Sequence, residues 1–194
     1  MRVVIAGSGS PAGDATASAL REHGHEVIEI GPEECDLRDF AAVQALADRL
    51  GAVDGVIHLV GGWRGGGGLA GQSDADWDWL QAMIVGTLRN TTRAFLPAVA
   101  ASPAGRFAIV SQTGVAKPTA GNANYLAAKS AAETWLLAVG DALKDTPASV
   151  HIERVMALYS DHDVEASPDK DFSRHTHVTE LGRRLAALFD PVAS

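Results

Sequence analysis

A single cysteine, Cys35, stands among the 194 residues, so no internal disulfide framework can form and no cysteine pair is available to a metal. A reducing cytoplasm is the compartment this implies. Positive charge is also scarce: 16 Lys and Arg face 24 Asp and Glu, a net charge of −8. Such a surface repels phosphate backbones and anionic lipid, so the expected partner is a small molecule, with no nucleic acid and no membrane. No apolar run approaches the ~18 to 20 residues of a membrane span. The opening residues, Met1-Arg2-Val3-Val4-Ile5-Ala6, read as a short strand without the cleavage site of a signal peptide. With 46% hydrophobic and 21% charged residues the composition is that of a packed domain, and residues 1–194 are expected to form one. What abounds is glycine. There are 20, about a tenth of the chain against a typical ~7%, and they crowd the stretch from Gly61 to Gly71, where backbone is expected to turn tightly or approach a ligand.

Hydrophobic periodicity orders the rest. Residues 3–6 are a β-branched run ended by Gly7, and residues 12–23 follow with small and apolar side chains at helical spacing. Residues 27–30 form a second strand, and Phe40, Val43, Leu46, Ala47 and Leu50 mark an amphipathic helix over 39–50. The near-continuous apolar run 53–60 is that of a strand buried on both faces of a parallel sheet. A long helical pattern over 74–99, a strand over 106–111, a helix over 123–143 and a strand over 149–158 continue the alternation. Residues 159–177 are polar and rich in His and Asp, expected to be a mobile loop, and 178–189 a closing helix. The order predicts an α/β class, a single-domain Rossmann-type doubly wound parallel sheet in three α/β/α layers.

Two motifs carry chemistry. Gly7, Ser8, Gly9, Ser10, Pro11, Ala12 and Gly13 lie between a strand and a helix, where free N–H groups and the helix dipole hold a pyrophosphate. Such a turn also fits a plain βα connection, and Pro11 removes one donor. Tyr125 and Lys129 are four apart on one face of a helix. The ammonium is expected to depress the phenol's pKa toward neutrality and make it a useful proton donor. Away from the glycine turn, the pair would read as two ordinary surface residues.

Together, in this order, these motifs resemble the short-chain dehydrogenase/reductase family over residues 2–189. Gly7, Gly9 and Gly13 match its glycine turn, with Pro11 at its middle glycine. Asp36 and Leu37 match its Asp-Leu pair, which implies that Asp36 contacts adenine. His58-Leu59-Val60-Gly61 takes the place of its Asn-Asn-Ala-Gly, so Val60, Gly61 and Gly62 are expected beside the cofactor. Tyr125 and Lys129 match its catalytic Tyr-x-x-x-Lys, and the resemblance gives Lys129 a second task on the nicotinamide ribose. The family serine would fall at Ser111 or Gln112, with Thr113 beside them to orient a substrate, and Met83 replaces a relay asparagine. Gly61-Gly62-Trp63, Asp76-Trp77 and Asp171-Phe172-Ser173 resemble the quinonoid dihydropteridine reductases, a branch that keeps the Tyr and Lys and lacks the serine.

The resemblance implies an NAD(P)H-dependent oxidoreductase that transfers hydride to a carbonyl or quinonoid, pteridine-like compound, with Tyr125 as proton donor and Trp63, Thr113 and Tyr159 at the substrate. NADH is preferred over NADPH, because no basic residue lies in 7–13 or 31–36 to meet a 2′-phosphate. His175 and His177 have no third partner in the sequence, so no metal is expected. A homodimer or homotetramer on the two long helices is implied, as is a sheet of about six strands trimmed at its edges. The alternative is a catalytically inactive dinucleotide-binding sensor or assembly subunit, motivated by Pro11, Met83 and Gln112.

Overall fold

The computed structural model describes residues 1–190. Strand β1 (Arg2–Ala6) leads through the glycine turn into helix α1 (Pro11–Glu22). Ser10 caps α1 by accepting from the Gly13 N–H, and Pro11 occupies the first turn, where its missing donor costs nothing. Strand β2 (Glu26–Ile30) is followed by α2 (Phe40–Leu50), whose cap, Asp39, accepts from the N–H groups of Ala41 and Ala42. Strand β3 (Gly55–His58), α3 (Asp74–Leu80) and α4 (Thr87–Ala101) come next. The expected long helix over 74–99 is therefore split, with a π-helical segment at Gln81–Gly86. There the Thr87 hydroxyl donates to the Met83 carbonyl at 2.6 Å, and local side-chain bonding of this kind accompanies irregular helix geometry. Strand β4 (Arg106–Gln112), α5 (Ala123–Ala142), β5 (Ser149–Val155), β6 (Leu158–Tyr159), α6 (Asp161–Ala166), β7 (Thr176–His177) and α7 (Val178–Ala187) complete the described chain.

The main sheet is parallel throughout, in the order β2-β1-β3-β4-β5. Alternate residues of each strand face opposite layers. Val4, Val56, Phe107 and Ile109 pack with α2, α4 and α5, while Val3, Ile5, Ile57 and Ala108 pack with α1 and α7. This is the three-layer doubly wound sheet that the alternation of elements predicts, with five strands where six were expected. At one edge the chain turns from β2 straight into α2. At the other, β6 leaves the sheet and pairs in parallel with β7. That small pairing and α6 give regular structure to much of the segment expected to be a loop. The strand order reverses around β1 and β3, so a crevice opens at their carboxyl ends, where ligands of such sheets bind.

Candidate active site

Two cavities line this crevice and meet at Val60. The one beside the glycine turn, about 410 Å³, is bordered by Gly7, Gly31, Asp36, Leu37 and Arg38. Gly7 brings main chain to its wall. Gly7 has φ of 103°, and a Cβ there would stand 2.9 Å from the backbone of Leu59 and Val60. A Cβ on Gly13 would meet the Gly7 carbonyl at 2.6 Å, so α1 approaches β1 closely only because both positions are glycine. The Ser10 hydroxyl ties the turn together, donating to the Gly7 carbonyl at 2.9 Å while accepting from the Gly13 N–H at 3.1 Å. Ser8 donates its N–H to the Ile30 carbonyl, and Gly9 donates to Asp14. Pro11 and Ala12 begin the helix, with Ala12 reaching the rim of the other cavity. Asp36 receives a two-pronged hydrogen bond from Arg38, at 2.8 Å for each prong. That guanidinium holds the Asp36 carboxyl down to about 2. Arg38 was missed by the sequence reading, although it stands only two residues beyond Asp36.

The second cavity, about 520 Å³, brings together Gly61, Gly62, Trp63, Gln112, Tyr125 and Lys129, with Ser111 also on its wall. Tyr125 and Lys129 share one face of α5. The Lys129 ammonium donates to the Val110 carbonyl at 2.8 Å and lies 5.8 Å from the Tyr125 ring centre. Burial brings Lys129 down to about 8 against the pull of Glu133. Burial pushes the Tyr125 phenol up, contrary to the expected depression by Lys129. The reason is that desolvating the phenol outweighs an ammonium that leans toward β4. Tyr125 is thereby kept protonated, as a proton donor must be.

The candidates for the family serine differ in what they do. Gln112 is fully engaged: its amide donates to the Met156 carbonyl at 3.0 Å and its oxygen accepts from the Gly114 N–H. Ser111 is buried with a hydroxyl that meets no partner. Burial opposes ionisation of the nearby Glu133 carboxyl, yet Arg154 holds it low. Glu133, one turn beyond Lys129, binds Arg154 through both oxygens at 3.0 and 2.7 Å, and neither residue was singled out from the sequence. Thr113 and Tyr159 stand outside the cavity lining. Tyr159 instead stacks on Phe172 at 4.8 Å and meets His177 edge-on.

Trp63 is 61% exposed at the mouth of this cavity, and its indole N–H donates to Asn122 at 3.1 Å. Behind it, Gln72 straps the glycine loop, donating to the carbonyls of Gly66 and Gly121 and accepting from the Asn124 N–H. At the end of β3, His58 is buried, and burial aided by Lys129 lowers it to about 3. Its Nε2 lies 3.1 Å from the Thr87 hydroxyl. Because that hydroxyl donates to Met83, it must accept from His58, which makes His58 the neutral Nε2–H tautomer with a bare Nδ1.

Comparison with known proteins gives this geometry a family. The sequence model described as short chain dehydrogenase matches residues 1–170. A curated short-chain type dehydrogenase/reductase of Mycolicibacterium smegmatis is 31% identical over 102 residues, covering 50% of this chain and 37% of the relative. The match therefore spans little more than a third of that protein. Among solved structures, a short-chain dehydrogenase/reductase from Vibrio parahaemolyticus has a TM-score of 0.80 at 16% identity, covering 98% of this chain and 91% of that one. ElxO with NADP bound has a TM-score of 0.85 at 11% identity, with 99% and 92% covered. An NADPH-bound short chain oxidoreductase from Pseudomonas aeruginosa PAO1, containing an atypical catalytic center, has a TM-score of 0.83 at 18% identity, with 98% and 90% covered. Identities this low carry the fold alone. No helix among the described residues is long and apolar enough to cross a membrane.

Proposed function

The chain belongs to the short-chain dehydrogenase family, and from that premise we propose that it is a cytoplasmic, NAD(P)H-dependent reductase of a carbonyl or quinonoid, pteridine-like small molecule. One observation carries the reading: Tyr125 and Lys129 face a cavity that joins, at Val60, the cavity of the glycine turn. A dinucleotide has two nucleoside ends, and the joined cavities offer room for each. The clearance that Gly7 and Gly13 preserve fits a pyrophosphate lying close to backbone.

Gly7 to Gly13 hold the pyrophosphate; Asp36 and Leu37 border the adenine, and Val60, Gly61 and Gly62 line the passage between the two ends. The nicotinamide, when bound, supplies a hydride. Tyr125 donates its phenolic proton to the oxygen or nitrogen that gains negative character on the substrate. Lys129 binds the ribose hydroxyls and stabilises the phenolate that Tyr125 becomes. Trp63, pinned by Asn122, gives a planar substrate a flat surface and shields the mouth from water. Gln112, tied at both ends, fixes β4 against the chain after β5 and leaves polarisation of the substrate to Tyr125. This suits a quinonoid acceptor, whose electron-poor ring needs less help than an ordinary ketone. NADH is the preferred donor, since the basic residue at the adenosine cavity, Arg38, is already committed to Asp36. A homodimer or homotetramer through α4 and α5 belongs to the same reading, with Leu137 of α5 59% exposed.

The engaged amide of Gln112 favours a second reading, a dinucleotide-binding sensor without turnover. NADH and NADPH are titrated against tryptophan fluorescence, and bound protein is then offered ketones, quinones and quinonoid dihydropterin. Turnover that exceeds a Tyr125→Phe control supports the reductase. Binding without it supports the sensor.

A further inference from the structure

Helix α5, which carries Tyr125, starts at Ala123 behind its N-cap, Asn122. Asparagine suits that place because its side-chain oxygen can accept one of the unpaired N–H groups of the first turn, yet the Asn122 side chain makes no capping bond. Two residues from the region of the glycine loop explain why. Gln72 accepts from the Asn124 N–H at 3.1 Å, reaching across 52 positions of sequence, so a first-turn donor is satisfied from outside the helix. Trp63 claims the Asn122 oxygen, donating its indole N–H at 3.1 Å. A Cβ on Gly65 would lie 2.7 Å from the Gly121 carbonyl and 3.3 Å from the Trp63 ring, so the glycine keeps this corner open for the pair. An indole nitrogen only donates and can therefore meet only the oxygen of an amide. That fixes the direction of the Asn122 side chain and leaves its two N–H donors without a partner among the described residues.

We infer that Asn122 determines substrate specificity: its amide donates to a second acceptor on the substrate, beside the group that Tyr125 protonates, and so selects vicinal dicarbonyls and ortho-quinones over isolated ketones. This rests on the reading of the cavity as the substrate site of a reductase. Asn122 borders that cavity together with Tyr125, and the two stand three residues apart at the start of one helix, a spacing that makes side chains neighbours. Other polar groups on the wall are committed. Gln112 gives its amide to Met156 and Gly114, and Lys129 donates to Val110. Asn122 thus brings uncommitted donors to a wall that is otherwise largely apolar, with Leu59, Val155 and Leu158 on it, which suits an uncharged molecule carrying two neighbouring acceptors. Asn122 takes no part in the transfer itself. The dinucleotide gives two electrons as hydride and Tyr125 gives the proton, so one carbonyl becomes an alcohol, while the carbonyl held by Asn122 is neither oxidised nor reduced.

The test compares kcat/KM for benzil and for deoxybenzoin, which has the same skeleton and lacks one of the two carbonyls, with the full chain saturated with NADH. Asn122→Asp keeps an oxygen for the Trp63 indole and replaces only the donors. It should lower kcat/KM for benzil by about tenfold or more and leave deoxybenzoin within roughly twofold, with NADH affinity unchanged by nicotinamide fluorescence. Trp63→Phe, which keeps a ring and removes the N–H that directs the amide, should lose part of the same preference. Equal losses on both ketones, or no loss on benzil, overturn the inference and leave the reductase intact. A wild type that reduces neither compound overturns it as well, and the reductase reading falls with it only if quinones and quinonoid dihydropterin also fail to oxidise bound NADH.

Discussion

The two halves of the crevice are built from different materials. At the half proposed to take adenosine, the glycine turn brings backbone to the wall, because Gly7 and Gly13 carry no side chains and Ser10 ties the turn together. At the catalytic half the surface is made of side chains from four distant stretches: the glycine loop, the end of β4, the chain after β5 and one face of α5. Here Gln112 stands beside Ser111 where the family serine would fall, whereas Met83, in place of its relay asparagine, lines the other cavity. A backbone cradle tolerates almost any chemistry around it provided the glycines stay. A side-chain site changes character with each replacement.

Substitutions that act on one half only should break this contrast or sharpen it. The largest effect is expected from Tyr125→Phe, which removes the proton donor: kcat for any accepted substrate should fall by about 10² to 10⁴, with NADH affinity unchanged within roughly twofold, as steady-state rates and fluorescence titration will show. The mirror image is Gly7→Ala. At φ of 103° and 2.9 Å from the β3 exit, the added methyl should displace the turn and weaken NADH binding by ~10²-fold, with folding followed in parallel by thermal melting. Near-equal affinity in this variant would mean that the turn does not approach the cofactor.

A smaller effect concerns pH at the junction of the halves. Lys129 loses its charge as pH rises through about 8, so NADH affinity should decline over that range, by up to ~10-fold, and Lys129→Met should be weaker throughout and flat with pH. Binding isotherms between about pH 6.5 and 9.5, roughly one and a half units to either side, separate the cases.

The last expected effect is on stability, and it is small within about one unit of neutral pH. His58 is held neutral in the folded state, lowered from 6.5 to about 3, so its unfolded form binds a proton that the folded form refuses. The stability is complete above pH 6.5 and is lost as pH falls, by at most ~1.4 kcal/mol per pH unit. His58→Asn should melt with a shallower acid dependence than the wild type. Identical slopes would place the acid sensitivity elsewhere.

Much of the fold was legible because it rests on local patterns. β-branched runs over 3–6, 53–60 and 106–111 mark strands buried on both faces, and helical spacing in 39–50 and 123–143 marks the elements between them. Tyr125 and Lys129 could be paired from spacing alone, since a helix converts four residues into neighbours. The sixth strand failed because edge pairing is decided by where the chain turns next: β6 has a strand's residues but finds β7 instead of the sheet. The π segment after Leu80 depends on Thr87 bonding back to Met83. The site was legible where one residue type does one thing, as with Gly7. It was not legible where a side chain's direction decides its role. Gln112 has the right spacing to face a substrate and spends its amide on Met156 and Gly114. Asn122 acts through Trp63, a partner that no periodic pattern reveals, and the pull of burial on Tyr125 depends on a protein interior assembled from the whole chain.

The most direct measurement is a single-turnover experiment on protein saturated with NADH, following nicotinamide absorbance after mixing with ketones, quinones and quinonoid dihydropterin in turn. The account predicts that at least one class, the quinonoid compounds first, oxidises the bound NADH at a rate that Tyr125→Phe lacks. NADH that binds and stays reduced with every class would contradict it.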